Sequence, residues 1–192
     1  MKIPDKARYY YVAYRSSEFI IEENITCFPV SPYEIIKRHK WALTTYSTLA
    51  KEMCCDIDDI SSAFMTDEAY TIFNGKNYTI AYNDTKGTDR IWFTLMHEIG
   101  HIYLKHFIDF EKTILRCKKL SKCEYKILEN EANAFARNVL APAPIIEQLP
   151  EKSKENICSF FHMSNDAAKT RLDLLHSDMY WNNYTKVTFK II

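Results

Sequence analysis

Residues 93–102 read Phe-Thr-Leu-Met-His-Glu-Ile-Gly-His-Ile, a stretch that contains the pattern His-Glu-x-x-His. In an α-helix, residues four positions apart lie one turn above each other, so His97 and His101 can direct their imidazoles at one point. Zinc binds such nitrogens at about 2.0–2.1 Å, and a catalytic zinc site also needs a third protein ligand and a water. Glu98 flanks the same point and can take a proton from that water. The stretch therefore predicts a catalytic zinc centre with His97 and His101 as ligands and Glu98 as general base.

The residues around this motif predict a long central helix. Thr88 or Asp89 can cap its start, and its apolar spacing continues to about Lys105. Apolar residues fall on nearly all of its faces, which is typical of a helix inside a core and predicts that both histidines are buried. Gly100 lies in the middle of the helix, where glycine costs about 1 kcal/mol relative to alanine. We therefore expect another element to pack closely against that turn.

A second helix, predicted for residues 122–140, carries the candidates for the third ligand. Ser121 and Glu124 form a capping-box pattern at its start. Glu129 lies on a stripe of small residues along this helix, which would let its carboxylate approach the histidine helix. Glu131 lies on a neighbouring stripe, and geometry alone does not exclude it. The spacing favours Glu129, with Glu131 open as the alternative.

The same stripe adds a supporting residue. Asn133 lies one turn beyond Glu129 and can hydrogen-bond a metal ligand from outside the coordination sphere. Such partners orient ligating histidines, so the pattern predicts that Asn133 helps to orient a metal ligand without binding the metal itself.

The composition indicates a globular chain without a strong overall charge. It has 192 residues, 47% of them hydrophobic, which is enough to bury a sizeable core. Lys plus Arg equals Asp plus Glu at 25 each, so the basic excess typical of nucleic-acid binding is missing. No stretch approaches the roughly 20 apolar residues of a membrane span, and the first residues do not resemble a signal peptide. We expect neither a membrane nor a direct nucleic-acid partner; the oligomeric state stays open.

The cysteines also indicate the compartment. The six cysteines form no Cys-x-x-Cys pair, and their spacing is typical of reduced thiols. Cys117 and Cys123 are a weaker candidate for a structural zinc site. A cytoplasmic location follows as the expectation.

The remaining sequence predicts a small sheet and flanking helices. Helices are expected over residues 6–24, 32–39, 57–63, 144–149, 153–162 and 165–175, and strands over 41–46 and 187–191. Asn74-Gly75 between two β-prone runs predicts a hairpin over residues 69–82, because both residues accept positive φ. Together the elements predict an α+β fold, in which a small sheet with a β-hairpin packs on the central histidine helix. A second ligand-bearing helix and further C-terminal helices complete it.

Two motifs of this chain occur together in an informative order. The first is His-Glu-Ile-Gly-His at 97–101, preceded by Arg-Ile-Trp-Phe-Thr-Leu at 90–95. The second is Glu-x-x-Ala-Asn-x-Phe-Ala at 129–136, followed by Leu-Ala-Pro at 140–142. The first motif is generic to zincins, and its pairing with the second makes the sequence resemble the ImmA/IrrE family of zinc metallopeptidases over roughly residues 30–175. Ala141 stands where that family often has Met, a departure that touches no catalytic role.

The resemblance implies a minimal zincin-like fold and a complete site. It implies Zn²⁺ as the cofactor, His97, His101 and Glu129 as its ligands, and Glu98 as the catalytic base. We expect a single metallopeptidase domain over 1–192, made of N-terminal helices (1–40), a zincin-like core (41–142), and C-terminal helices with a terminal strand (143–192). Family members are intracellular and commonly cleave or inactivate helix-turn-helix repressors, in mobile genetic elements or stress responses. A repressor of this kind is therefore the expected protein substrate.

The predicted function is a zinc-dependent intracellular endopeptidase, with Glu98 as general base on a zinc-bound water. The resemblance to zincins also implies that the hairpin supplies an edge strand for an extended substrate. The alternative is a non-proteolytic regulatory binding module with a structural or sensory zinc site. Glu98 discriminates between them, because a structural site needs no base beside an open coordination position. Tyr103, His106 and the hairpin tyrosines are open candidates for stabilising an oxyanion.

Overall fold

The computed structural model describes residues 2–110 and 120–177. Within these ranges the helices are α1 (Tyr9–Glu22), α2 (Pro32–Arg38), α3 (Tyr46–Met53), α4 (Ile57–Phe64), α5 (Thr88–Tyr103), α6 (His106–Asp109), α7 (Lys122–Leu140), α8 (Ala143–Ile146), α9 (Lys154–Phe161) and α10 (Asn165–Asp173). The strands are β1 (Ala42–Thr45), β2 (Ala69–Phe73) and β3 (Tyr78–Tyr82). This arrangement confirms the predicted α+β class.

The sheet has the strand order β1-β3-β2, with β3 in the centre. β1 runs parallel to β3, and β2 pairs with β3 as the predicted antiparallel hairpin. Of the two turn residues only Gly75 has a positive φ, of 88°. Asn74 contributes in another way, since its side-chain oxygen accepts hydrogen bonds from the backbone N–H groups of Lys76 and Asn77. The hairpin is thus confirmed, but the reason given for Asn74 is wrong.

Helices cover both faces of the sheet. Successive residues of a strand point to opposite faces. Ile80 of β3 belongs to the central core with α1, α5 and α7, while Ala81 packs with α3 and α4 in a separate apolar cluster. The same alternation on β2 turns Tyr70 towards α3 and α4 and Thr71 towards α5. The face that carries Thr71 is therefore the one that meets the histidine helix.

Helix α5 lies at the centre of the fold, between the sheet and α7. Its N-cap is Gly87, so the prediction that Thr88 or Asp89 caps it is wrong. Asp89 instead lies in the first turn, where an acidic side chain is favourable to the helix dipole. The helix ends at Tyr103, short of Lys105, which takes a left-handed φ of 60° before α6.

The close packing expected at Gly100 is present. A Cβ atom at this position would lie 3.0 Å from Phe135 Cδ1 and 3.3 Å from the carbonyl oxygen of Ala132. Both neighbours belong to α7, whose start is fixed by the predicted capping box: Ser121 Oγ accepts from the Glu124 N–H, and Glu124 Oε2 accepts from the Ser121 N–H. The glycine therefore lets the two motif-bearing helices approach each other.

The outcomes of the other predictions from the sequence differ from one segment to the next. The strand predicted over 41–46 ends at Thr45, whose hydroxyl caps α3 by accepting from the Thr48 N–H, and α3 was not predicted. The C-terminal helices α8, α9 and α10 are present and pack around their own apolar cluster. The strand predicted over 187–191 and Cys117 lie outside the described residues. No helix in the described ranges is long and apolar enough to cross a membrane.

Candidate metal centre

Three of the predicted site residues meet at one point between α5 and α7. The ligand atoms of His97, His101 and Glu129 all lie within 4.8 Å of one another. The two histidine Nε2 atoms are 3.0 Å apart, and they lie 3.4 Å and 3.3 Å from the Glu129 carboxylate oxygens. A tetrahedral ion with bonds of about 2.0–2.1 Å separates its ligand atoms by about 3.3–3.4 Å. The three donors are therefore spaced to share one ion.

The chemistry of the donor set fits zinc as well. Two imidazole nitrogens and one carboxylate, with a further position left for water, are a ligand set found in zinc hydrolases. Each ring uses its other nitrogen elsewhere: His97 Nδ1 donates to Asn133 Oδ1 at 2.9 Å, and His101 Nδ1 lies 2.8 Å from His106 Nδ1. Both Nε2 atoms are thereby directed at the shared point. The expected contact of Asn133 with a ligand is present.

The electrostatics of the cluster separate the two histidines. Burial lowers the pKa of His101 to about 3, so its ring is neutral. At His97 burial also opposes the charge, but the neighbouring Glu129 outweighs it and raises the pKa. Burial alone would raise the pKa of Glu129, whereas its contacts with His101 and His97 hold that pKa well below its usual range. Glu129 is thus an ionised carboxylate, the form in which it can bind a cation.

The structure separates the two candidates for the third ligand. Glu129 faces the histidines, whereas Glu131 points to the other side of α7, with none of its side chain exposed. There its carboxylate accepts from the backbone N–H, Nε and Nη2 of Arg8 and from His106 Nε2. Burial would raise the pKa of Glu131, but the hydrogen bonds from Arg8 and His106 hold it at about 2. Of the two alternatives, the structure brings Glu129 to the histidines.

Glu98 is held beside the cluster by the sheet. It follows His97 on α5, is 7% exposed, and accepts a 2.6 Å hydrogen bond from Thr71 Oγ1 on β2. The charge of Glu98 also contributes to the raised pKa of His97, as expected for adjacent groups. Thr71 was not identified from the sequence, since a threonine in a β-prone run is ordinary for a strand.

The observed contacts of His106 and Arg8 were also not predicted from the sequence. The only available signal for His106 was its position five residues after His101. The ring of His106 is fully buried with both nitrogens engaged, so it is not placed to stabilise an oxyanion. Tyr103 is engaged elsewhere as well, because its hydroxyl donates to Glu22 at 2.6 Å.

A cavity of about 890 Å³ lies next to the cluster, between α5, α7 and the α9–α10 pair. Its walls include Trp92, Phe93, Asn133, Arg137, Phe161 and His162. Asn133 lines this cavity and also binds His97, whereas His97, His101, Glu129 and Glu98 are not among its lining residues.

Comparisons with known proteins now bear on this geometry. No curated protein and no solved structure matches the chain. A peptidase family model described as the IrrE N-terminal-like domain matches residues 55–173. The matched segment is more than half of the chain and contains β2, β3, α5 and α7, the elements that assemble the cluster. Sequence motifs and family match agree, and the chain belongs to the IrrE N-terminal-like domain family, a family of metallopeptidase type.

Proposed function

We propose that this protein is a zinc-dependent endopeptidase that cleaves a protein substrate. One observation carries the proposal: two histidines and a carboxylate meet at metal-binding distances, with Glu98 held beside them by Thr71. A purely structural metal site needs no acidic residue in that place. The family match supports the same class of activity.

In the proposed reaction, His97, His101 and Glu129 would hold the zinc ion. Zinc, when bound, supplies Lewis acidity, which activates a water at neutral pH and polarises a carbonyl. Glu98 takes a proton from the attacking water and delivers it to the leaving amine. The hydrogen bond from Thr71 holds one oxygen of Glu98 in place. It thereby orients the side chain for taking the proton from water and for giving it to the amine.

The sheet edge beside Glu98 supports a polypeptide substrate. Among the described strands, β2 pairs with β3 on one side only, so an extended peptide could add to its other edge as a further strand. Thr71 belongs to this edge strand, which places the docking edge and the general base next to each other. The cavity on the Asn133 side can take up substrate side chains. A helix-turn-helix repressor in the cytoplasm remains our proposed substrate.

The test compares the wild type with Glu98→Gln, a change that keeps shape and removes the base. Both proteins are loaded with zinc and mixed with purified helix-turn-helix repressors from the same genome, with and without a chelator. Fragments are sought by mass spectrometry. We expect cleavage by the wild type only, a loss of roughly 100- to 10,000-fold in Glu98→Gln, and full zinc occupancy in both proteins.

The control is Glu52→Gln, which changes an exposed carboxylate of α3 and should cleave like the wild type. A Glu98→Gln protein that keeps its zinc and its full biological effect would contradict the proposal. That result would favour the regulatory binding module, in which the protein sequesters a repressor without cutting it.

A further inference from the structure

A buried chain of hydrogen bonds runs from the metal cluster to the N-terminal segment. His101 Nδ1 lies 2.8 Å from His106 Nδ1, and His106 Nε2 lies 3.1 Å from Glu131 Oε2. Glu131 in turn binds Arg8 through its backbone N–H at 2.8 Å, Nε at 2.9 Å and Nη2 at 2.7 Å. The four residues come from α5, α6, α7 and the position that precedes α1.

The chemistry of these groups determines which atom donates and which accepts in each hydrogen bond. An arginine only donates and an ionised carboxylate only accepts, so His106 must donate from Nε2 to Glu131. If His101 is to bind a metal through Nε2, its proton must be on Nδ1, and His106 Nδ1 must accept that proton's hydrogen bond. The reverse arrangement would put the proton of His101 on Nε2, where it would point into the cluster and block a metal. Only one of the two tautomers of His101 therefore agrees with both the network and metal binding.

The surroundings keep water from substituting for this network. The side chains of His106 and Glu131 are both fully buried, and that of His101 is 3% exposed. Buried polar groups without partners are costly, so each member holds the next in place. Arg8 is anchored further by its guanidinium, which lies 4.6 Å from the centre of the Tyr11 ring.

We propose that His106, Glu131 and Arg8 are positioning residues for the metal centre, and that they hold His101 in the tautomer that presents Nε2 to the ion. This role rests on the proposed metal site. It adds three residues to the four that form that site. It also makes the N-terminal segment a contributor to metal affinity. The Nδ1 atom of His97 binds Asn133 instead, so the orientation of His97 does not run through His106, Glu131 or Arg8.

The first test measures zinc affinity by competition with a chromophoric chelator. His106→Phe keeps an aromatic ring and removes the acceptor for His101 Nδ1, and we expect zinc affinity to fall roughly 10- to 100-fold. Glu131→Gln and Arg8→Gln should lower it by smaller factors, in that order. Arg8→Gln alters a partly exposed residue before α1 and keeps the test valid should His106→Phe fail to fold.

The chain offers a matched control. Glu23 is also a buried carboxylate that binds one arginine and one histidine, Arg38 Nη1 at 2.7 Å and His39 Nε2 at 2.6 Å, and neither partner belongs to the cluster or to the His106 network. Glu23→Gln should destabilise the fold as Glu131→Gln does. Its zinc affinity should stay within about twofold of the wild type, because distant sites act independently. An equal loss in both variants would show that the effect comes from stability alone and overturn the inference.

The second readout is the tautomer itself, observed by nitrogen-15 NMR of the histidine rings in metal-free protein. We expect His101 to carry its proton on Nδ1 in the wild type and to show a mixture of tautomers in His106→Phe. A wild-type His101 protonated on Nε2, or an unchanged tautomer and zinc affinity in folded His106→Phe, would overturn the inference. A wild type that takes up no zinc would instead contradict the proposed function, so the two failures are distinguishable.

Discussion

The two histidines of the cluster are alike in sequence but differ in what holds them. The His97 side chain is 12% exposed, and its partner is the neutral amide of Asn133, which also lines the cavity. The His101 side chain is 3% exposed and leads into the charged network of His106, Glu131 and Arg8. One candidate ligand thus lies on the more exposed side of the cluster, next to Asn133 and the cavity, and the other lies on its buried side.

The largest effects are expected when either histidine is removed. Zinc affinity should fall in both His97→Ala and His101→Ala. The fall should exceed the roughly 100-fold loss expected when a residue that only hydrogen-bonds a metal ligand is removed. The metal-free proteins should differ, since His101→Ala leaves His106 without its partner and opens space in the core. We expect about 2–4 kcal/mol less stability for metal-free His101→Ala and little change for His97→Ala. Urea unfolding in the presence of a chelator measures this difference, and equal stabilities would break the comparison.

The buried side should also give the fold an acid dependence. The pKa of Glu131 in the folded protein is about 2, below its ordinary value of 4.5, so its stabilising contribution is present above pH 4.5. That contribution is lost as the pH falls from 4.5 towards 2. Glu131→Gln should therefore cost about 3 kcal/mol at pH 7, and the difference from the wild type should shrink below pH 4.5. Urea unfolding of both metal-free proteins at pH 7, 4 and 3 tests this; a constant difference would contradict it.

The contact between the two motif-bearing helices should be sensitive to a single methyl group. Gly100→Ala places a Cβ 3.0 Å from Phe135 Cδ1 in a packed core. Overpacking should outweigh the gain in helix propensity and leave a net loss of about 1–2 kcal/mol. It should also move Glu129 and weaken zinc binding. Gly87→Ser is the control, because a Cβ at Gly87 meets nothing within 4 Å and serine is a good N-cap.

The smallest effect is expected on the open side of the cluster. Asn133→Ala removes the hydrogen bond to His97 Nδ1, but water from the cavity can replace it. We expect zinc affinity to fall at most about tenfold, less than in His106→Phe, with no change in metal-free stability. Chelator competition on the two variants side by side measures the difference. A larger loss for Asn133→Ala would reverse the proposed division between the two sides.

Local signals account for what the sequence could predict. The capping box at Ser121 and Glu124 placed the start of α7 correctly, and the Asn-Gly turn placed the hairpin. The convergence of His97 and His101 depends only on the geometry of one helix. Gly100 indicated that another element packs closely there, and that element is α7.

The remainder depends on contacts that no local pattern encodes. Arg8 and Glu131 are 123 positions apart, and the pairing appears only when α1 packs on α7. Thr71 meets Glu98 only because the sheet lies across α5. Helix α3 was missed because its first residues, Tyr46 to Thr48, continue a β-prone run, and the capping bond from Thr48 to Thr45 overrides that preference.

The place of Arg8 in the chain affects how this site can be inherited. The segment shared with the family begins at residue 55, so it contains the three donors and Glu131 but not the guanidinium that balances Glu131. A recombination event that exchanged residues 55–173 alone would transfer the cluster together with a buried carboxylate that keeps His106 but loses its arginine partner. We therefore expect functional chimaeras to have their crossover before Arg8, or to acquire a new cation at the same position in space. In this chain the hydrogen-bonded surroundings of the cluster therefore extend beyond the matched segment, as far as Arg8.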